Sequence, residues 1–181
     1  MKKKMLLIVI CVAVLGVFIF NYVSEDKISV NKEWDLTSEQ VKNITLKGIS
    51  QDIDIYIEKS DRNHLSIEGQ MPVSFAEKLS TLNPNEQEIC LDFSTSIGLS
   101  VAKLNGDKLR MTIYVTDEKN LEQLLVQMNK GNVNVNVPET FAKAYKLKTN
   151  QGKVNQPDQQ KATQGLIKVE LGFGDITVKE I

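Results

Sequence analysis

From Trp34 onward, apolar and polar residues alternate along most of the chain. Ile44 and Leu46 lead into Ile53, Ile55 and Ile57, with Asp52, Asp54, Tyr56 and Glu58 on the opposite side. Leu65 and Ile67 continue the pattern after the turn-like stretch Ser60-Asp61-Arg62-Asn63. Further sets are Ile89, Leu91 and Phe93; Leu109, Met111, Ile113 and Val115; Val133, Val135 and Val137; and Ile167, Val169, Leu171, Ile176 and Val178. A period of two over short runs marks strands buried on one side. The pattern predicts an all-β domain. Helix is confined to two stretches: SFAEKL (Ser74–Leu79), and Glu118–Met128, where LEQLLVQM satisfies helical and strand periods alike.

A repeat appears when the glycines are aligned. Gly131 has Val126 and Met128 before it and Val133 and Val135 after it; Gly174 has Val169, Leu171, Ile176 and Val178 at the same offsets. Gly152 shares them with Leu147, Thr149 and Val154, lacking only the last, and the spacings are 21 and 22 residues. An earlier unit has Leu46, then Gln51 in the glycine's place, then Ile53 and Ile55. Each unit reads as strand, corner, strand, and glycine suits a corner because it accepts positive φ. A fixed period near 20 residues predicts a β-solenoid-like stack with corners at Gln51, Gly131, Gly152 and Gly174. An antiparallel sandwich with evenly spaced hairpins is the alternative.

The N-terminus has a different character. Lys2, Lys3 and Lys4 precede the apolar run MLLIVICVAVLGVFIF (Met5–Phe20), and no charge follows until Glu25. Through Val23 this is about 19 residues, roughly 28 Å as a helix, which nearly spans the bilayer's hydrocarbon core. No A-x-A cleavage pattern follows, so an uncleaved anchor over residues 1–23 is expected rather than a signal peptide. Lysines are retained on the cytoplasmic side, so the rest of the chain should lie outside. Residues 24–33 are then expected to be a short linker, and 34–181 the β domain.

The chain carries a net charge of −1, and setting aside the three N-terminal lysines leaves 19 basic against 23 acidic side chains, a net −4. This argues against a nucleic-acid partner. Cys11 falls within the apolar run, so Cys90 has no partner for a disulfide inside the domain, which must hold together by packing and strand pairing.

Candidate chemistry is sparse. His64 is the one histidine and follows Asn63 at a turn; no G-x-S-x-G elbow accompanies it, and one histidine with one exterior cysteine does not make a zinc site. No cofactor or metal is expected. Asp52, Asp54 and Glu58 share a strand face and could serve acid–base chemistry or calcium, though solvation is the simpler reading. Gly172-Phe173-Gly174-Asp175-Ile176 outlines one calcium β-roll repeat, but such sites need tandem copies, and the corner reading is preferred. Asn132, Asn134 and Asn136 place three amides on one face, either as a ladder or as a glycan-contacting strip.

The segment ITLKGISQDIDIYIEKSDRNHLSIEG (Ile44–Gly69), with MTIYV (Met111–Val115), VQMNKGNVNV (Val126–Val135), LKTNQGKV (Leu147–Val154) and VELGFGDITV (Val169–Val178), resembles the bacterial "putative adhesin" β-strand repeat family, also called toastrack-like domains. The likeness covers roughly residues 34 to 181. Thr116 stands where many members have proline, and Gln51 where glycine is usual. The resemblance implies a right-handed β-solenoid-like fold near envelope stress-response systems of Gram-positive-type bacteria, and it brings no catalytic residues. The expected function is a membrane-anchored, extracytoplasmic, non-catalytic interaction module, whose partners are the membrane and an envelope component or membrane protein. The alternatives are a polysaccharide-active β-helix enzyme and a self-assembling surface element.

Overall fold

The computed structural model describes residues 26–81, 88–94, 108–141, 144–158 and 165–181. The predicted anchor and its lysines Lys2, Lys3 and Lys4 lie outside these residues; among those described, no helix is long and apolar enough to cross a membrane. The strands are β1 (Lys27–Asp35), β2 (Asn43–Lys47), β3 (Asp52–Lys59), β4 (His64–Pro72), β5 (Ile89–Asp92), β6 (Lys108–Val115), β7 (Gln123–Lys130), β8 (Val133–Val137), β9 (Ala144–Gln151), β10 (Val154–Asn155), β11 (Leu166–Phe173) and β12 (Ile176–Glu180). Among the described residues one helix, α1 (Val73–Ser80), follows Pro72 and lays Phe75, Ala76 and Leu79 on the core. It covers the predicted Ser74–Leu79.

Two differences from the sequence expectation are local. Residues 27–33, assigned to a linker, belong to β1, which pairs antiparallel with β4 from Lys27↔Pro72 to Asp35↔His64. The sequence gives this stretch only one buried apolar residue, Val30, so the pairing and not the pattern makes it a strand. Glu118–Met128 resolves into a 3-10 turn at Glu118–Asn120 and strand β7, because pairing to β2 and β11 on both sides outweighs a weak helical preference.

The strands form two sheets. One runs β1-β4-β6-β3-β8-β12-β10 and the other β5-β2-β7-β11-β9. Apart from the antiparallel pairs β1–β4 and β4–β6, all pairings are parallel. Inward residues from both sheets merge into one core, with Ile44, Leu46, Ile55, Ile57, Met111, Val126, Val135 and Val169 without exposed surface.

Each repeat unit places one strand in each sheet: β2–β3, β5–β6, β7–β8, β9–β10 and β11–β12. The units stack, but not in chain order. From the β5–β6 end the order is β5–β6, β2–β3, β7–β8, β11–β12, β9–β10. A chain winding continuously would lay each unit on its predecessor. Here the last unit enters between the third and fourth, and β6 enters between β3 and β4, so Ser60–Asn63 crosses the end of β6 instead of closing a hairpin. Ser60 N donates to Val115 O across that crossing at 2.9 Å. Thr116 N donates to Asn63 Oδ1 at 2.8 Å, a bond a proline at this position could not make.

The corners stand over one another in the same order. A Cβ added at Gly131 would meet Gln51 O at 2.4 Å, one at Gly174 would meet Gly131 O at 2.0 Å, and one at Gly152 would meet Gly174 O at 1.9 Å. Gln51 keeps its place in this stack without glycine's backbone, because its corner is two residues longer and Gly48 takes the positive φ of +77°. Gln51 is fully buried and its Nε2 donates to Gln70 O at 2.9 Å.

The residue after each corner links the units. Asn132 N donates to Asp52 Oδ1 at 2.7 Å, Asp175 N to Asn132 Oδ1 at 3.0 Å, and Lys153 N to Asp175 Oδ1 at 2.8 Å. Each side-chain oxygen thus satisfies the turn N–H of the next unit, as an N-cap does for a helix. Asn132→Ala removes one acceptor and the 3.3 Å amide bond to Asp52 Oδ2, and should cost about 1–2 kcal/mol. Asn132→Asp sets a second carboxylate against Asp52. Its extra destabilisation should be present at neutral pH and relieved as the pH falls far enough to protonate the pair. Urea unfolding at the two pH values measures this; an equal loss at both would show that the residues do not face each other.

Candidate functional site: a polar cleft on the outer face of the five-stranded sheet

The carboxylates and amides singled out in the sequence, Glu58 apart, are already engaged. Asp52 holds the corner ladder. Asp54 pairs with Lys108 and accepts from Asn134 Nδ2 at 2.8 Å. Asn136 Nδ2 donates to Ile55 O at 3.2 Å. The Asn132-Asn134-Asn136 strip is therefore a set of inter-strand ties rather than a free glycan-contacting face. Glu58 lies on the same strand as Asp54, four residues further along, beside Tyr114 of β6. His64 stacks on Tyr114 with centroids 3.9 Å apart. Cys90 is exposed and free. Asp175 belongs to the corner ladder, and among the described residues no group of acidic, His and Cys side chains could hold a metal ion.

The cleft lies on the other sheet. In β2, β7, β9 and β11, alternate residues point into the core and the rest point outward. Strand register sets Asp92, Lys47, Gln127, Glu170 and Lys148 side by side, one from each strand of the sheet. Toward the corners, Asn129 and Asn150 flank Gly172, which presents bare backbone between two amides. A Cβ at Gly172 would meet Asn129 O at 2.5 Å, so the neighbouring strand also requires the close approach. All of these but Asp92, together with Ser94, line a cleft of about 430 Å³.

The cleft's acceptors and donors are differently placed. Glu170 Oε1 pairs with Lys168 Nζ at 2.7 Å, and Oε2 accepts from Gln127 Nε2 at 2.7 Å. The bond to Lys168, then that to Gln127, holds its pKa below the ordinary glutamate value, and Lys148 adds to the effect. Because the folded pKa is depressed, the pairing's contribution is full above the ordinary glutamate range. It is lost only as pH falls through the lower folded value. Lys168→Gln should move the Glu170 titration back toward ordinary glutamate, read from the 13C carboxyl shift; an unmoved titration would show that the pair does not form.

Asp92 is likewise held low, by bonds from Ser94 and then by Lys47 and Lys78. Its Oδ1 accepts from Ser94 N at 2.8 Å, while Lys78 Nζ donates to Ser94 O at 2.7 Å, which anchors α1 against this corner. By contrast, among the described residues neither the ammonium groups of Lys47 and Lys148 nor the side-chain amides of Asn129 and Asn150 hold a hydrogen bond or ion pair. The charged groups left open in the cleft are ammonium donors, and the two amides offer a donor and an acceptor each.

Sequence reasoning did not find this site. Lys47, Gln127, Lys148 and Glu170 lie far apart in the chain, and only the pairing order lines them up. Gly172 was the one available signal, as a second glycine two residues before the corner at Gly174.

No known family model matches the chain, and no curated protein matches it. The chain is similar in structure to a "putative cell adhesion protein" from Clostridium sporogenes ATCC 15579, with a TM-score of 0.41 and 10% identity, covering 85% of this chain and 100% of that one. It is also similar to a "putative adhesin" from Bacteroides fragilis NCTC 9343, with a TM-score of 0.28 and 10% identity, covering 86% of this chain and 98% of that one.

Proposed function

We propose that the chain is a membrane-anchored, extracytoplasmic, non-catalytic interaction module of the cell envelope, serving stress response or surface adhesion, and that the polar cleft is its contact surface. The carrying observation is the row Lys47-Gln127-Glu170-Lys148, presented on four parallel strands with its ammonium donors open. Stacked rungs make a solenoid-like scaffold that holds such a row rigid, which lowers the ordering cost of recognition. A polysaccharide-cleaving reading would need a free carboxylate pair at a defined separation. Asp52 and Asp54 are tied into the ladder and to Lys108, which favours the binding reading.

Intact cells treated with a membrane-impermeant maleimide should be labelled at Cys90. Labelling only after lysis would overturn the exterior placement. A photo-crosslinking residue at Asn150 should capture envelope material on the same cells while one at Lys32 on β1 does not. Equal capture at both positions would remove the cleft from the proposal.

A further inference from the structure

We infer that the cleft takes an anionic glycan, a sugar or polyol chain bearing carboxylate or phosphate groups at intervals. This rests on the binding reading above. Four observations carry it.

First, both oxygens of Glu170, the acidic side chain lining the cleft, already accept bonds from Lys168 and Gln127, so the cleft's open charged groups are the ammonium donors of Lys47 and Lys148, beside the amides of Asn129 and Asn150. A donor-rich surface selects an acceptor-rich ligand. Second, the two lysines stand three strands apart in the row, roughly 14 Å between backbones at ordinary strand spacing. That separation suits a chain with two or more charges. Third, Gly172 puts bare backbone on the cleft lining between two amides, which can donate to and accept from hydroxyl groups. Fourth, the row has no aromatic platform for stacking bases, which disfavours single-stranded nucleic acid. The exterior part as a whole is acidic, so the lysines are a local exception that gives the cleft its sign.

The test uses the full chain in detergent micelles and measures binding by calorimetry. The probes are trigalacturonate, a short poly(glycerol phosphate), maltotriose as the uncharged control, and monomeric galacturonate. At least one anionic oligomer should bind about tenfold or more tighter than maltotriose and than the monomer, and the affinity should fall with salt. The tighter of the two oligomers identifies the charged group as carboxylate or phosphate. The double variant Lys47→Gln, Lys148→Gln should lose about tenfold or more, whereas Lys179→Gln on the other sheet should not.

Both lysines are surface residues of the cleft, and an unchanged thermal melt shows that the double variant is folded. Maltotriose binding as well as the oligomers, or an affinity that survives the double variant, would overturn the inference. If neither oligomer binds, the anionic ligand is wrong. Capture from Asn150 on cells then separates the two failures: if it persists, the interaction module stands with another ligand, and if it is absent, both readings fall.

Discussion

Gly174→Ala should destabilise the domain by about 3 kcal/mol or more, a large effect for one added methyl group. The residue has φ of +132°, where a side chain is strained, and an added Cβ would meet Gly131 O at 2.0 Å. Relief is blocked on both sides. Gly174 N donates to Gln151 O at 2.8 Å, and Gly131 N donates to Phe173 O at 3.0 Å, so moving one corner breaks bonds to the units above and below it.

Gly152→Ala offers the control. Its added Cβ would meet Gly174 O at 1.9 Å, but it belongs to the end unit, where residues 151–156 are exposed and β10 has two residues. That corner can swing outward, so the loss should be smaller, about 1 kcal/mol. Denaturant unfolding of the two variants gives the comparison. Equal losses would mean the corner stack is not mechanically continuous.

Ile55→Ala should cost about 3–4 kcal/mol, and Ile55→Val about 1 kcal/mol. Ile55 has no exposed surface and lies in β3, between Met111 of β6 and Val135 of β8. Neighbouring strands on both sides fix its backbone, so the sheet cannot close over the lost atoms, and the cavity term stays with the transfer term. The graded pair separates packing from simple hydrophobicity. If the two variants were alike, with both losses under about 1 kcal/mol, the centre of the larger sheet would be loosely packed.

The strands around Ile55 were legible in the chain because alternation is local: β3, β6 and β8 each bury every second residue along most of their length. The corner glycines were legible for the same reason, as positions whose neighbours repeat. What alternation cannot do is rank partners. Asn134 and Asp54, bonded across β8 and β3, are 80 residues apart. Every strand with an apolar face offers the same face, so the expected chain-order stack and the observed interleaved one have identical patterns. The cleft was hidden for this reason. Its charged row exists only once β2, β7, β11 and β9 are neighbours in that order. The amides of Asn132, Asn134 and Asn136 show the reverse error. They were visible as a strip, but the asparagines of β8 face Asp52, Asp54 and the β3 backbone, and those bonds absorb them.

The interleaved stack also sets a schedule for synthesis. Among the described residues β9 pairs only with β11, and β10 only with β12, so the unit Ala144–Asn155 has no strand partner until Leu166–Glu180 has been made. While the chain is growing, that segment leaves the ribosome as an extended, unpaired strand, the state most exposed to wrong association. Lys146 and Lys148, on its outward side, supply charges of the kind that keep such a segment soluble while it waits. A chain that stops before Leu166 therefore loses two units rather than one.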